Sequence, residues 1–211
     1  MIKLFLFGLA ILLYGKAALA STHINTVSGV PITAKNVRLV KIVGDINLSS
    51  TDKIIEELKK SDKSSRHKVF IYINSIGGEL PQADRIIALV EKIKKSHQVI
   101  MIGDSIVQSA AFNIFAHADV RVVTAKTCLM FHKMAYPLLT ETKSGRLTAI
   151  RLRQIADKMD ELEQQYITFN AANLGMTEKD YCLHAENDTY WRPDALMKIG
   201  FIHGIVKIEN L

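Results

Sequence analysis

The stretch Gly103–Met134, GDSIVQSAAFNIFAHADVRVVTAKTCLMFHKM, decides how this chain is read. A small-residue turn carrying Ser109 follows an apolar run. A short helical pattern runs on to about His117, and strands are expected over Val120–Val123 and Cys128–His132. A serine and a histidine at the ends of neighbouring elements are half of a nucleophile–base arrangement. Each also has a plainer reading, Ser109 as a helix N-cap and His132 as a polar residue at a strand edge.

Working back from this stretch, Val99–Ile102 and Val69–Ile73 (VFIYI) are continuous apolar runs, the pattern of strands buried on both faces. Between them Glu79–Lys95 reads as a helix, with Ile86, Ile87, Leu89, Val90 and Ile93 on its apolar side and Pro81 tolerated in its first turn. Val37–Val43 is a further strand. Ser49-Ser50-Thr51 is expected to cap a helix running to about Lys60, and a polar loop follows over Ser61–Arg66. Strand, helix, strand, helix, strand implies an α/β fold with a mostly parallel sheet and right-handed crossovers.

Working forward, Met134–Ser144 reads as a loop. A long helix is expected from Arg146 to about Asn173, with Leu152, Ile155, Met159, Leu162, Tyr166 and Phe169 spaced 3-4-3-4-3. Such a stripe packs into a core or, since the helix is long for a domain of this size, against another subunit. A short helix from Thr177, the segment Asn187–Trp191, a helix over Pro193–Ile199 and a strand over Phe201–Val206 complete the chain.

The 211 residues are 48% hydrophobic and 23% charged, enough for one domain with a substantial core. Residues 1–20 stand apart. Lys3 precedes the apolar run Leu4–Tyr14, and Ala18-Leu19-Ala20 offers a small-x-small cleavage site before Ser21. Eleven apolar residues fall short of the roughly 20 needed to span a bilayer, so this reads as a secretory signal peptide, with an uncleaved anchor as the alternative. Residues 21–35 read as a flexible leader and 36–211 as the folded domain. Removing residues 1–20 takes away Lys3 and Lys16, two of the 27 basic residues, and none of the 21 acidic ones, leaving a formal charge of +4. The remaining Lys and Arg are scattered, without aromatic interleaving, which excludes a nucleic-acid-binding signature. No two histidines share a metal-ligand spacing and no Cys-x-x-Cys occurs, so neither a metal nor another cofactor is expected. Cys128 and Cys182 either remain free thiols or close a 54-residue loop, worth about 4 kcal/mol in the chain-entropy model.

Acyl transfer needs a nucleophile, a base, an orienting acid and oxyanion donors. The chain offers Ser109 at a helix N-terminus, where the helix dipole favours developing negative charge, with Ala110 and Ala111 leaving room for a substrate backbone. His132 titrates near 6.5 when unperturbed and suits the base. Asp188 is a candidate for the acid and otherwise a turn residue. Gly77-Gly78 and the N–H of Ala110 are candidate oxyanion donors, the glycines otherwise being a tight turn.

Three blocks of the sequence resemble the proteolytic subunit of the Clp protease and its relatives in the ClpP/crotonase superfamily. VFIYINSIGGEL resembles the family's INSPGG-type oxyanion loop. MIGDSIVQSAAFNIFAHADVRVVTAKTCLMFHKM resembles its nucleophile turn and its histidine-bearing strand end. DTYWRPDALMKIGFIHGI resembles its acid-bearing C-terminal segment. The resemblance spans roughly residues 36–208 and implies a stack of ββα units with a long protruding helix that forms a subunit contact. It implies a catalytic set of Ser109, His132 and Asp188, an oxyanion hole at Gly78 and Ala110, and a homo-oligomer.

The chain departs from that pattern in places. Ile76 replaces the proline before the glycines, Gln108 precedes Ser109 where alanine is usual, and His203 stands where aspartate is usual. A register slip would put Gln108 at the nucleophile position, and Ser105 is a third candidate. The export signal argues against an ATP-driven unfoldase partner. The expected function is therefore an exported serine endopeptidase cleaving peptides or loosely folded proteins. The alternatives are a non-catalytic scaffold that kept the fold and a crotonase-type thioester enzyme, which the serine set and the export signal disfavour.

Overall fold

The continuous apolar runs become the middle of a parallel sheet. The structure is a computed structural model, and it describes residues 26–27, 30–31, 39–62, 68–134 and 148–208. The expected signal peptide, most of the leader and most of the Met134–Ser144 loop lie outside those residues.

In chain order the strands are β1 (Thr26–Val27), β2 (Val30–Pro31), β3 (Leu39–Ile46), β4 (Lys68–Gly78), β5 (Gln98–Gln108), β6 (Val120–Thr124), β7 (Cys128–Met130), β8 (Tyr190–Trp191) and β9 (Gly204–Val206). The helices are α1 (Leu48–Asp62), α2 (Leu80–Ile93), α3 (Ala110–Ala116), α4 (Ala149–Leu174), α5 (Glu178–Glu186) and α6 (Pro193–Lys198). β1 and β2 pair with each other. The seven other strands form one sheet in the order β3-β4-β5-β6-β9, with β7 pairing β5 and β8. Every pairing in this sheet is parallel except β7–β8.

Ends of elements follow local chemistry. α1 begins one turn earlier than expected because Asn47 caps it: Asn47 Oδ1 accepts the Ser50 N–H and Ser50 Oγ accepts the Asn47 N–H, both at 3.0 Å. α4 begins at Ala149 because the Thr148 side chain accepts the Arg151 N–H, and it ends at Gly175 in the left-handed region.

β4 and β5 are longer than their apolar runs. Both change register partway, between Ile73 and Ser75 on β4 and the facing Gly103 and Val107 on β5. Ser105 takes φ 55 at the bend. Asp104 pins it by accepting from Thr124 Oγ1 at 2.7 Å and Tyr72 Oη at 2.8 Å. Burial opposes ionisation of this carboxyl, yet those two hydroxyls and Lys126 hold it below the usual carboxylate range. Before the bend β5 pairs β6, and after it β5 pairs β7. The bend therefore redirects the strand that leads to Ser109.

The main core lies between the sheet and helices α1, α2 and α3. Phe112, Phe115, Phe131 and Phe201 are fully buried, with the Phe112 ring 5.1 Å from Phe131 and 5.4 Å from Phe201. Only Asn170, Ala171 and Leu174 of α4 are buried. Phe169 stacks on His117 at 3.9 Å, and His117 Nδ1 is hydrogen-bonded to Glu91 on α2. The end of α4 is thus seated in the domain, while Ile150 and Leu152 near its start are exposed. The stripe read from the sequence divides between core and open surface.

Candidate active site

Ser109 stands at the end of β5 as the N-cap of α3, with φ 53 and ψ −126, a conformation that non-glycine residues rarely adopt. Its N–H donates to the Met130 carbonyl at 2.9 Å, which ties the turn to β7. Two residues beyond Met130, His132 Nε2 lies 2.8 Å from Ser109 Oγ. With the ring proton on Nδ1, the hydroxyl donates to Nε2, as a nucleophile does to its general base. Phe131 fixes the ring's approach, because its own ring is buried against Phe112 and stacks on Tyr181 at 4.4 Å.

The glycine pair closes the other side. Gly77 has φ 100, and a Cβ there would stand 2.7 Å from Ser109 Cβ and 2.9 Å from the Ala110 nitrogen. Gly78 has φ 149, and its Cβ would meet the Ile46 carbonyl oxygen at 2.2 Å. Only glycine allows this approach. Ser75 Oγ holds the loop in place by donating to the Gly44 carbonyl at 2.6 Å and accepting the Gly77 N–H at 3.0 Å. Ala110 is the first residue of α3, so its N–H has no acceptor within the helix and is a candidate oxyanion donor. Gly78, Leu80, Ser109, Asn113 and His132 line one small cleft.

The structure brings together Ser109, His132, Gly77, Gly78 and Ala110. It does not bring Asp188 to His132. Asp188 is exposed with φ 44 just after α5, and among the described residues no hydrogen bond joins it to the imidazole. The reason is local. The Thr189 N–H folds back on the His184 carbonyl at 3.2 Å and closes the helix end. The neighbouring ladder nevertheless aims at His132. β7 pairs β8 through Leu129 with Trp191 and Met130 with Tyr190, and the same register carried two residues further sets His132 opposite Asp188. Gln108 is the last residue of β5, and Ser105 sits at the bend rather than in the cleft. Cys128 and Cys182 are free thiols.

Three residues near the pair escaped the sequence reading. Asn113 lines the cleft and an adjoining pocket beside His132, and Glu163 and Tyr181 line that pocket. Asn113 looks like any residue of a short helix. Glu163 carried a usable signal, because it is four residues after Met159 and three before Tyr166, on the flank of the apolar stripe.

Comparison with known proteins identifies the family and the fold. The family model for Clp protease matches residues 28–209. The chain is 23% identical over 179 residues to the ATP-dependent Clp protease proteolytic subunit 2 of Pseudomonas aeruginosa, covering 84% of this chain and 85% of that protein. It is 22% identical over 173 residues to the ATP-dependent Clp protease proteolytic subunit of Borrelia garinii subsp. bavariensis, covering 82% and 86%. Among solved structures it superposes on a ClpP1 mutant from Listeria monocytogenes with a TM-score of 0.69 and 20% identity, covering 81% of this chain and 91% of that one. The family model runs through nearly the whole chain, from the bent parallel sheet through the Ser109 turn to the strands at its end, and this protein is a member of the Clp protease family.

Proposed function

We propose that the protein is an exported serine endopeptidase that cleaves peptides or loosely folded proteins without an ATPase partner. The observation that carries the reading is the 2.8 Å contact between Ser109 Oγ and His132 Nε2, beside a glycine loop with no room for side chains. Ser109 Oγ attacks the scissile carbonyl while its proton passes to His132 Nε2. The oxyanion receives hydrogen bonds from the N–H groups of Gly78 and Ala110. His132 returns the proton to the leaving amine, the C–N bond breaks, and water attacks the acyl-enzyme by the same route in reverse. Asp188 is the acid we assign to the imidazolium, on the β7–β8 register that sets it opposite His132, and it reaches the ring by rearrangement of its exposed turn. Export rests on the pattern of residues 1–20, and self-association on the exposed start of α4.

Labelling of residues 21–211 with a fluorophosphonate, followed by peptide mapping, tests the reading. Ser109 is the expected site, and labelling and peptide hydrolysis are expected to fall at least about 10³-fold in Ser109→Ala and His132→Ala. Wild-type hydrolysis in Ser109→Ala would overturn the assignment. The exposed position of Asp188 favours a second reading, a scaffold that binds peptides without turnover. Absence of any label on folded, assembled protein selects it.

A further inference from the structure

The ladder that aims Asp188 at His132 stops two residues short of it. β7 and β8 pair through Leu129 with Trp191 and Met130 with Tyr190, and the next residue, Thr189, would stand opposite Phe131. Thr189 does not continue the pairing. Its N–H and its hydroxyl both turn back onto the His184 carbonyl, at 3.2 Å and 2.9 Å, and its Oγ1 lies 3.3 Å from His184 Nδ1. With the hydroxyl proton given to the carbonyl, the ring N–H is the donor in that last contact. The Asn187 N–H reaches the same carbonyl at 3.2 Å. Three donors thus share an acceptor with two lone pairs, and between them Asp188 is folded into the left-handed region at φ 44. The end of α5 is held separately. The Lys133 N–H donates to the Ala185 carbonyl at 3.3 Å, and Lys133 Nζ lies 2.7 Å from Glu186 Oε1. Residues 187–189 can therefore open without moving the helix.

We infer that Thr189 is a positioning residue that acts through Asp188: closed on His184, its side chain withholds the acid from His132, and release of the turn completes the catalytic set. The inference rests on the proposed peptidase activity and assigns its resting state. Released, Thr189 extends β8 opposite Phe131, and Asp188 faces His132 at the close spacing of a cross-strand pair. Opening gives up the contacts to His184 but relieves the left-handed backbone at Asp188. The two states therefore lie close enough for one hydroxyl to shift their ratio.

The chain has a single tryptophan, Trp191, whose ring centre is 5.0 Å from that of His184, so its fluorescence reads the turn independently of catalysis. Thr189→Val keeps the shape and the backbone N–H and removes the hydroxyl. It is expected to shift the Trp191 emission and to raise the rate of fluorophosphonate labelling of Ser109 about tenfold, the worth of two hydrogen bonds lost from the closed state. Thr189→Ala is expected to do the same, and Thr189→Ser, which keeps the hydroxyl, to restore both wild-type values. In an Asp188→Asn background Thr189→Val is expected to shift the emission and leave the labelling rate unchanged, because no acid is released. Unchanged emission in Thr189→Val and Thr189→Ala, labelling of both at or below the wild-type rate, or an equal rise in the Asp188→Asn background would each overturn the inference while leaving the serine peptidase standing. Absence of label on the wild-type protein and on every variant would overturn the peptidase reading, and the inference with it.

Discussion

Gly77 and Ser109 approach so closely that a Cβ on the glycine would stand 2.7 Å from that of the serine. Gly77→Ala is therefore expected to displace the nucleophile turn, lowering fluorophosphonate labelling of Ser109 by at least about 10²-fold, because small misplacements of a nucleophile are costly. Gly44 is the control. It also has positive φ, 75, but nothing lies within 4 Å of a Cβ there. Gly44→Ala is expected to cost about 1 kcal/mol in stability and to leave labelling nearly unchanged. Equal labelling of Gly77→Ala and wild type would refute the close-approach argument.

Asp188→Asn tests the third member of the proposed catalytic set. The β7–β8 register sets this residue across from His132, although it is exposed. The expected outcome is a fall in acylation of about 10²- to 10⁴-fold with little change in the melting temperature, since an exposed turn residue carries little of the fold. Acylation at the wild-type rate in assembled protein would remove Asp188 from the mechanism.

His203 makes the fold sensitive to acid. Its Nδ1 accepts the Arg121 N–H at 3.0 Å, and its own N–H donates to the Arg121 carbonyl at 2.7 Å. Burial first and the Arg121 cation second hold its imidazole below the ordinary 6.5. The unfolded chain therefore binds this proton more readily than the folded one, so the neutral ring's contribution is complete above about pH 6.5 and is lost as pH falls through that value toward the lower folded pKa. Melting temperatures recorded from pH 7.5 to 5.0 are expected to decline on the acid side. His203→Asn keeps an acceptor and cannot titrate, so its decline should be shallower. Parallel curves would exclude His203 as the source.

Asn170 is fully buried and donates through Nδ2 to Asn113 Oδ1 at 2.9 Å and to Tyr181 Oη at 3.2 Å. Asn170→Ala would leave both oxygens short of a donor and open a cavity, so a loss of roughly 3 kcal/mol is expected in denaturant unfolding. A loss under about 1 kcal/mol would show that the two oxygens find other partners and that the space left by Asn170 closes.

Ile150 and Leu152 lie exposed on the first turn of α4, beyond the part of the helix that packs on the domain. Ile150→Glu combined with Leu152→Glu is expected to reduce the sedimentation coefficient while the far-ultraviolet circular dichroism stays unchanged. An unaltered coefficient would place the subunit contact elsewhere.

What could be read in the sequence was what depends on neighbours along the chain. Val69–Ile73 and Val99–Ile102 announce buried strands because both faces are apolar, and Ser109 announces a helix start. The second halves of β4 and β5 were hidden because Asn74, Asp104 and Ser105 interrupt the apolar pattern. Their strand character comes from a bend and from partners remote in sequence, β3 and β5 for the end of β4 and β7 for the end of β5. Glu163 was visible on the flank of the apolar stripe, but its role was not, because its partner in the pocket, Met134, is 29 residues away. Asp188 shows the converse, a position marked by motif that the fold leaves exposed and without a hydrogen bond to His132 among the described residues.

The places of β8 and β9 in the sheet bear on when the protein can act during its own synthesis. β8 pairs with the strand that carries His132, and β9 completes the edge beside β6, yet both come from the last 22 residues of the chain. A ribosome-bound chain that already contains Ser109 and His132 still lacks the segments that brace them. The same ordering means that premature termination anywhere before residue 190 leaves the histidine strand without its antiparallel neighbour. A growing or truncated copy thus carries Ser109 and His132 without the two late strands that flank them in the folded protein.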